Sequence, residues 1–231
     1  MSFKAYFWRG LLALVLLVLL YQLWIFLHIC YWVHQNPAST SFMRDRLAEM
    51  RKDDPKAVIR HQWVDYDNIS IQLKRAVIAA EDAKFPDHEG FDWDGIQKAY
   101  EKNLKKGKLV AGGSTISQQL AKNLFLSSQR TPWRKAQEAV ITLMLETMMS
   151  KRRILEIYLN MIEWGNGVFG AEAAARHYYG VSAKRLSSYQ AAKMAAMIPN
   201  PRYYDKHRST RFLNRKTATI QARMAQVAVP K

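Results

Sequence analysis

The sequence predicts a mostly α-helical protein with one membrane helix at its N-terminus. An uncharged, apolar segment runs from Leu11 to Val33, which is long enough to cross a bilayer. After this segment, strand-like alternation is rare and apolar residues recur at helical spacing. The clearest cases are two sets, Ile154, Leu155, Tyr158, Leu159 and Ile162, and then Leu186, Ala191, Met194 and Met197.

The length and composition favour one ordinary domain after the membrane segment. The chain has 231 residues, of which 49% are apolar, and it contains no internal repeat or low-complexity tract. We therefore predict a cytoplasmic N-terminus at residues 1–10 and a transmembrane anchor at 11–33. Residues 34–69 are predicted to form a linker and the start of the domain, and residues 70–231 its body.

The flanking charges predict the orientation of the anchor. About 23 residues at roughly 1.5 Å each span the ~30 Å hydrocarbon core. Lys4 and Arg9 precede the segment without acidic neighbours, whereas acidic residues accompany Arg44 and Arg46 after it. This bias favours a cytoplasmic N-terminus. The alternative, a cleaved signal peptide, normally has an apolar core of only about 7–15 residues, so we favour an uncleaved anchor.

The chain is strongly basic, which indicates an anionic partner. Thirty-five Lys and Arg residues against nineteen Asp and Glu residues give a net charge of +16. Nucleic acid, anionic lipid and phosphorylated substrates all fit this charge. From Lys193 to the end there are nine basic residues and one acid. That run fits either a membrane-facing amphipathic helix or a solvated terminal helix.

Two segments in the middle of the chain differ in their predicted structure. Residues 56–68 mix β-branched and aromatic residues, which predicts an extended stretch.

Gly112 and Gly113 open a later helix, where they permit close backbone approach and Ser114 can cap the helix. The free amides of such a helix start favour an anion. Four polar residues then share one helical face, Thr115, Gln118, Gln119 and Lys122.

Acidic residues occur beside apolar helical segments at two places. Glu81 and Asp82 follow the apolar run 76–80, so they are expected at the edge of a core, where two adjacent acids suggest a site. Glu138 shares an angular position with apolar neighbours. It is either desolvated and chemically useful or neutralised by Arg134 four residues earlier. Other acids and a histidine lie between residues 87 and 94, but no zinc or calcium motif occurs there, so no metal site is predicted.

The chain resembles the peptidoglycan glycosyltransferases, in particular the monofunctional members of that family. The resemblance covers about residues 76 to 204. Five blocks match in order: Glu81-Asp82 with Phe85, His88 and Gly90; Gly112 to Asn123; Arg134-Lys135 with Glu138; Ser150-Lys151 through Asn160; and Gly165 to Gly180. Small departures at Met149, Tyr179 and Asp205 leave the predicted chemistry untouched.

This resemblance implies a fold and a reaction. The fold would be lysozyme-like and all-helical, with a larger lobe and a smaller membrane-dipping lobe around a cleft. The reaction would transfer a growing glycan, carried on undecaprenyl pyrophosphate, to the 4-hydroxyl of the N-acetylglucosamine of incoming lipid II. It would invert the anomeric centre, form a β-1,4 bond and release undecaprenyl pyrophosphate.

The resemblance also implies roles for individual residues. Glu81 would be the general base, and Glu138 would be a second catalytic glutamate that supports the donor side. Lys122, Arg134 and Lys135 would stabilise the departing pyrophosphate. Thr115, Gln119 and Asn123 would orient sugar or phosphate oxygens. The residues expected to shape the cleft are Asp82, Phe85, His88, Gly113, Ser114 and Lys151.

The remaining expectations concern cofactors, partners and location. No cofactor is expected to be required, although Mg²⁺ or Mn²⁺ could stimulate the reaction. The expected partners are lipid II, the lipid-linked glycan, the bacterial inner membrane and other cell-wall synthesis or division proteins, with a periplasmic catalytic domain and no nucleic acid. No Ser-x-x-Lys motif occurs, so no transpeptidase activity is expected. The alternatives are a lysozyme-like hydrolase or lytic transglycosylase, and a membrane-anchored nucleic-acid-binding or scaffold protein.

Overall fold

The computed structural model describes residues 3–107, 112–129 and 131–231, and it divides into two compact units. The first unit, residues 1–36, contains one long helix, α1 (Phe3–His34). Its apolar part, Tyr6–His34, is long and apolar enough to cross a membrane. The helix therefore extends beyond the predicted anchor of 11–33 at both ends.

The second unit, residues 37–231, is mainly helical, as the apolar spacing predicts. Its first helix, α2, lies inside the segment predicted as linker and domain start. The helices are α2 (Ser41–Asp53), α3 (Ile71–Glu81), α4 (Trp93–Lys106), α5 (Ile116–Phe125), α6 (Pro132–Met148), α7 (Lys151–Met161), α8 (Ala171–Tyr179), α9 (Ser188–Met197), α10 (Pro201–Lys206) and α11 (Arg211–Arg223). Single 3₁₀ turns occur at Tyr66–Asn68, Phe85–Asp87, Ala183–Arg185 and Met224–Gln226.

A small sheet joins distant parts of the second unit. Its strands are β1 (Arg60–His61), β2 (Glu163–Gly165) and β3 (Val168–Phe169), in the order β1-β3-β2. β1 pairs parallel to β3, and β3 pairs antiparallel to β2. Within the extended stretch predicted at 56–68, only Arg60 and His61 form a strand, and Tyr66–Asn68 form a 3₁₀ turn. The pairing partner of that strand lies more than a hundred residues later in the chain.

The helical core forms two packed groups. In one, α9 lies between α3 and α11; in the other, α5 packs on α6 and α7. The apolar residues whose spacing predicted helices at 154–162 and 186–197 are all buried. The two groups meet where α3 ends and α5 begins, because Asp82 bonds to the first residue of α5. This junction positions the candidate site.

Candidate active site

Glu81 is the last residue of α3 and emerges where the buried part of that helix ends. Leu73, Val77 and Ile78 of α3 are fully buried, whereas Glu81 is partly exposed. Its Oε2 atom accepts a hydrogen bond of 2.8 Å from Nε2 of Gln119. The carboxylate is thus held at the edge of the core, as the apolar run before it predicts.

The surroundings of Glu81 raise the pKa of its carboxyl group. Burial is the largest cause, since it disfavours the charged form. The hydrogen bond from Gln119 and the positive charges of Lys216 and Lys122 act in the opposite direction. The pKa of the carboxyl group is therefore raised, while two ammonium groups and one amide favour its ionised form. Such a balance is expected of a general base.

Asp82 differs from Glu81 in its burial and in its hydrogen-bond partners. It is 7% exposed, and its carboxylate accepts hydrogen bonds from His88 Nε2 at 2.9 and 3.1 Å and from the backbone N–H of Ile116 at 3.0 Å. His88 in turn accepts a bond from the N–H of Gly90 through Nδ1. Asp82 is therefore committed to bonds within the protein, and its negative charge contributes to the raised pKa of Glu81.

The start of α5 corrects one prediction about its cap. Thr115, not Ser114, is the N-cap, and it forms a capping box with Gln118. The Thr115 hydroxyl also donates to the carbonyl of Gly90 at 2.7 Å, and its side chain is buried. Half of the polar face predicted for this helix is therefore used to fix the helix start. The predicted contact between Thr115 and substrate stays a prediction.

A pocket of about 220 Å³ lies between the end of α3 and the loop before α5. Its wall includes Glu81 and the residues Gly112, Gly113 and Ser114. Only one of the two glycines makes the close approach expected of both. A Cβ on Gly113 would lie 3.1 Å from Cα of Ile96, whereas a Cβ on Gly112 would meet nothing within 4 Å.

The second half of α5 carries the polar residues that are not used in capping. Lys122 is partly exposed, and its Nζ lies 5.3 Å from the ring centre of Phe42. Asn123 donates from Nδ2 to the carbonyl of Gln119 at 2.7 Å and is 7% exposed. Together these residues extend the polar face from Gln119 towards the end of the helix.

The first turns of α6 hold a compact charge cluster. Glu138 is 3% exposed and accepts a bond from Arg134 Nη1 at 2.7 Å; its other oxygen pairs with Lys135 Nζ. Of the two possibilities left open by the sequence, neutralisation by Arg134 is confirmed, and Lys135 adds a second cation. Because six residues connect α5 and α6 and the two helices pack together, the end of α5 and the start of α6 lie at the same end of the pair.

Phe85 and Lys151 support the segment that follows Glu81. Phe85 is fully buried and meets His88 edge-on, with 6.3 Å between the ring centres. Lys151 Nζ lies 4.6 Å from the centre of the Phe85 ring and pairs with Glu146 at 2.8 Å. These contacts lie beneath the site, where both side chains are well placed to fix its shape.

Lys216 on α11 is a site residue that the sequence reasoning missed. Its charge acts on Glu81, and burial lowers the pKa of its own ammonium group while the Glu81 carboxylate raises it. The signal was present, because Lys216 shares a helix face with the buried residues Leu213 and Ile220. A cation on the apolar face of a helix needs a carboxylate partner nearby.

No group of three or more potential metal ligands occurs within residues 3–107, 112–129 and 131–231. Two of the acids between 87 and 94 have other partners. Asp92 caps α4 through the N–H of Gly95 at 3.0 Å, and Asp94 pairs with Lys84 at 2.8 Å.

Comparison with known proteins gives an extensive match. A family model described as transglycosylase matches residues 48–225. A protein of Methylobacillus flagellatus named biosynthetic peptidoglycan transglycosylase is 71% identical over 227 residues, which are 98% of this chain and 99% of that protein. Proteins with the same name from Laribacter hongkongensis and Nitrosospira multiformis are 68% identical (96% of this chain, 97% of that protein) and 63% identical (100% of both). Both the domain and the whole chain are therefore matched, and the chain belongs to the transglycosylase family.

Proposed function

We propose that this protein polymerises lipid II into glycan strands for the bacterial cell wall. The family match and the names of its full-length relatives support this activity. The observation that carries the mechanism is the Glu81 carboxylate, which lies in the wall of a pocket beside a glycine loop and within the field of two lysines. A lysozyme-like hydrolase would not need the cations around this carboxylate.

In the proposed reaction, Glu81 is the general base. The 4-hydroxyl oxygen of the acceptor sugar attacks the anomeric carbon of the lipid-linked glycan, and the Glu81 carboxylate takes the hydroxyl proton as the new bond forms. The bond between the anomeric carbon and the pyrophosphate oxygen breaks, and its electron pair leaves with the pyrophosphate. The hydrogen bond from Gln119 orients the carboxylate and favours its ionised form.

The departing pyrophosphate requires positive charge that is already in place. Lys122 on α5 and the pair Arg134 and Lys135 on α6 supply that charge in our proposal. Glu138 holds the two α6 cations through one oxygen each. Its role is therefore to position cations and not to transfer a proton, which agrees with the low need for acid catalysis at so good a leaving group.

The test is glycan-strand formation from labelled lipid II in detergent, comparing the full-length protein with Glu81→Gln. A matched control is Glu89→Gln, which makes the same change at an exposed carboxylate in the same segment. General base catalysis contributes about 100-fold or more, so we expect polymer from the wild type and from Glu89→Gln, and at least about 100-fold less from Glu81→Gln.

Two outcomes would contradict the proposal. Sugar release from purified cell wall without polymer from lipid II would favour a hydrolase. Normal polymerisation by Glu81→Gln would leave the function but remove Glu81 as the base. We further expect polymerisation to continue in EDTA, because the proposed base and cations are protein side chains, and to be faster with added Mg²⁺ or Mn²⁺, which can add positive charge beside the pyrophosphate.

The proposed location is the inner membrane, with α1 as a single-pass anchor and the second unit in the periplasm. α1 is long and apolar enough for this role, and the flanking basic residues favour a cytoplasmic N-terminus. Reporter fusions at residue 2 and at the C-terminus test the orientation. An alkaline phosphatase fusion should be active only at the C-terminus, and activity at the N-terminus would reverse the assignment.

A further inference from the structure

Three hydrogen-bonded side chains connect α7, α5 and α3. The hydroxyl of Tyr158 on α7 donates to Oε1 of Gln119 at 2.8 Å, and Nε2 of Gln119 donates to Oε2 of Glu81 at 2.8 Å. Tyr158 is fully buried and is not among the residues that line the pocket of Glu81. Its hydrogen-bond connection to the carboxylate runs through the carboxamide of Gln119.

The direction of the first hydrogen bond decides what the second one can do. A carboxamide has a donor end and an acceptor end, and only the NH₂ end stabilises a carboxylate. Rotation by about half a turn would place Oε1 against Oε2 of Glu81, where two acceptors repel each other. A hydroxyl that donates to Oε1 holds the NH₂ group on the side of Glu81.

Tyr158 is suited to remain a donor at every physiological pH. Burial and the negative charges of Glu81 and Asp82 raise the pKa of its phenol well above the usual value. The hydroxyl therefore keeps its proton, and Tyr158 remains the donor and Gln119 Oε1 the acceptor as the pH changes.

We propose that Tyr158 is a positioning residue, which fixes the Gln119 carboxamide so that its NH₂ group faces Glu81. This proposal rests on the proposed function, because it concerns the residue assigned as the base. Without the hydroxyl, the carboxamide keeps only one of the two hydrogen bonds that orient it, and the donor that faces Glu81 is less firmly fixed. The carboxylate then keeps its proton up to a higher pH. The acidic limb of the pH–rate profile therefore shifts to higher pH, while the binding of lipid II is unchanged.

The decisive variant is Tyr158→Phe, which removes the hydroxyl and keeps the ring. Its matched control is Tyr66→Phe, since Tyr66 is also buried and donates from its hydroxyl to the carbonyl of Pro230 at 2.7 Å. We expect Tyr158→Phe to lower the rate on the acidic limb by about three- to tenfold, with recovery at higher pH and an unchanged KM. Tyr66→Phe should keep the wild-type profile.

A double-variant cycle with Gln119→Met tests whether Tyr158 acts through Gln119. Gln119→Met alone should shift the acidic limb to higher pH. Adding Tyr158→Phe to Gln119→Met should lower the rate no further. Equal fold-losses for Tyr158→Phe in the presence and absence of Gln119 would overturn the proposal, as would an unmoved acidic limb. If Tyr158→Phe does not fold, the pH–rate profile of Gln119→Met is the test. An acidic limb at the same pH as in the wild type would then overturn the proposal.

Glu81→Gln in the same series separates this proposal from the proposed function. A normal rate for Glu81→Gln would contradict the assignment of the base itself. A low rate for Glu81→Gln together with a wild-type profile for Tyr158→Phe would contradict only the positioning role.

Discussion

The Asp82 carboxylate accepts a hydrogen bond from the backbone N–H of Ile116 at 3.0 Å, which ties the end of α3 to the start of α5. The same carboxylate accepts a bond from His88. Glu81, the adjacent residue, instead accepts from a side chain further along α5. One residue of this acidic pair therefore fixes the two helices, and its neighbour faces the pocket.

We expect Asp82→Asn to destabilise the protein by about 1–3 kcal/mol, because the amide NH₂ would face a donor and leave a buried polar group unpaired. Thermal unfolding followed by circular dichroism measures this effect. Asp87→Asn is the matched control, since Asp87 is exposed in the same segment. An equal unfolding temperature for the two variants would contradict the structural role of Asp82.

The raised pKa of Glu81 predicts a pH-dependent gain in stability for Glu81→Gln. Folding favours the protonated carboxyl group, so its stabilising contribution is complete below the unfolded-state pKa of about 4.3 and is lost as the pH rises through the raised folded-state pKa. The wild type should therefore unfold at a lower temperature than Glu81→Gln at pH 7. The difference should vanish near pH 4, and a constant difference across this range would refute the burial argument.

Substitutions at the neighbouring residues Gly112 and Gly113, in the loop before α5, should have opposite effects on stability. Gly113→Ala places a methyl group 3.1 Å from Cα of Ile96, so α4 or the loop must shift at a cost of about 1–3 kcal/mol, with loss of activity. Gly112→Ala meets open space and should be neutral or stabilising by up to about 1 kcal/mol. Unfolding temperature and polymerisation rate measure both variants, and equal effects would argue against the close approach.

Lys216 acts on Glu81 through its charge, so its removal should change the pH profile. In Lys216→Gln the carboxyl group loses a neighbouring cation that lowers its pKa, and the acidic limb of the rate should move to higher pH. We expect about a threefold or greater loss of rate on that limb. Arg215→Gln removes the same charge from the exposed neighbouring position and should leave the limb in place. Matching profiles for these two variants would exclude a specific effect of Lys216.

Glu138→Gln should affect both stability and activity. The buried carboxylate pairs with Arg134 and Lys135, and a neutral amide leaves both cations without a counter-charge. We expect a loss of about 1–3 kcal/mol in the free energy of unfolding, and about tenfold or more in polymerisation rate, because the cations lose their fixed positions. Glu101→Gln on the exposed side of α4 serves as control. A wild-type rate for Glu138→Gln would contradict our account.

Several structural features follow from local sequence alone. The helix at 188–197 follows from the spacing of Ala191, Met194 and Met197, all of which are buried. The N-cap of α5 is Thr115 and not Ser114, and the local signal for it is the Thr-x-x-Gln pattern of a capping box formed by Thr115 and Gln118. The pairing of Arg134 with Glu138 is one of the two possibilities that the sequence leaves open, because four-residue spacing places both on one helix face.

By itself the sequence determined the long apolar N-terminal helix, the helical domain, the order of the motifs and the position of Glu81 at the end of an apolar helix. These features depend on residues that are close in the chain, where helical geometry fixes their relation. Only the tertiary structure brings Gln119 and the charge of Lys216 to Glu81, connects Tyr158 to Gln119, and commits Asp82 to a bond with Ile116. Those contacts join helices far apart in sequence, and their geometry depends on how the helices pack, which no local pattern specifies.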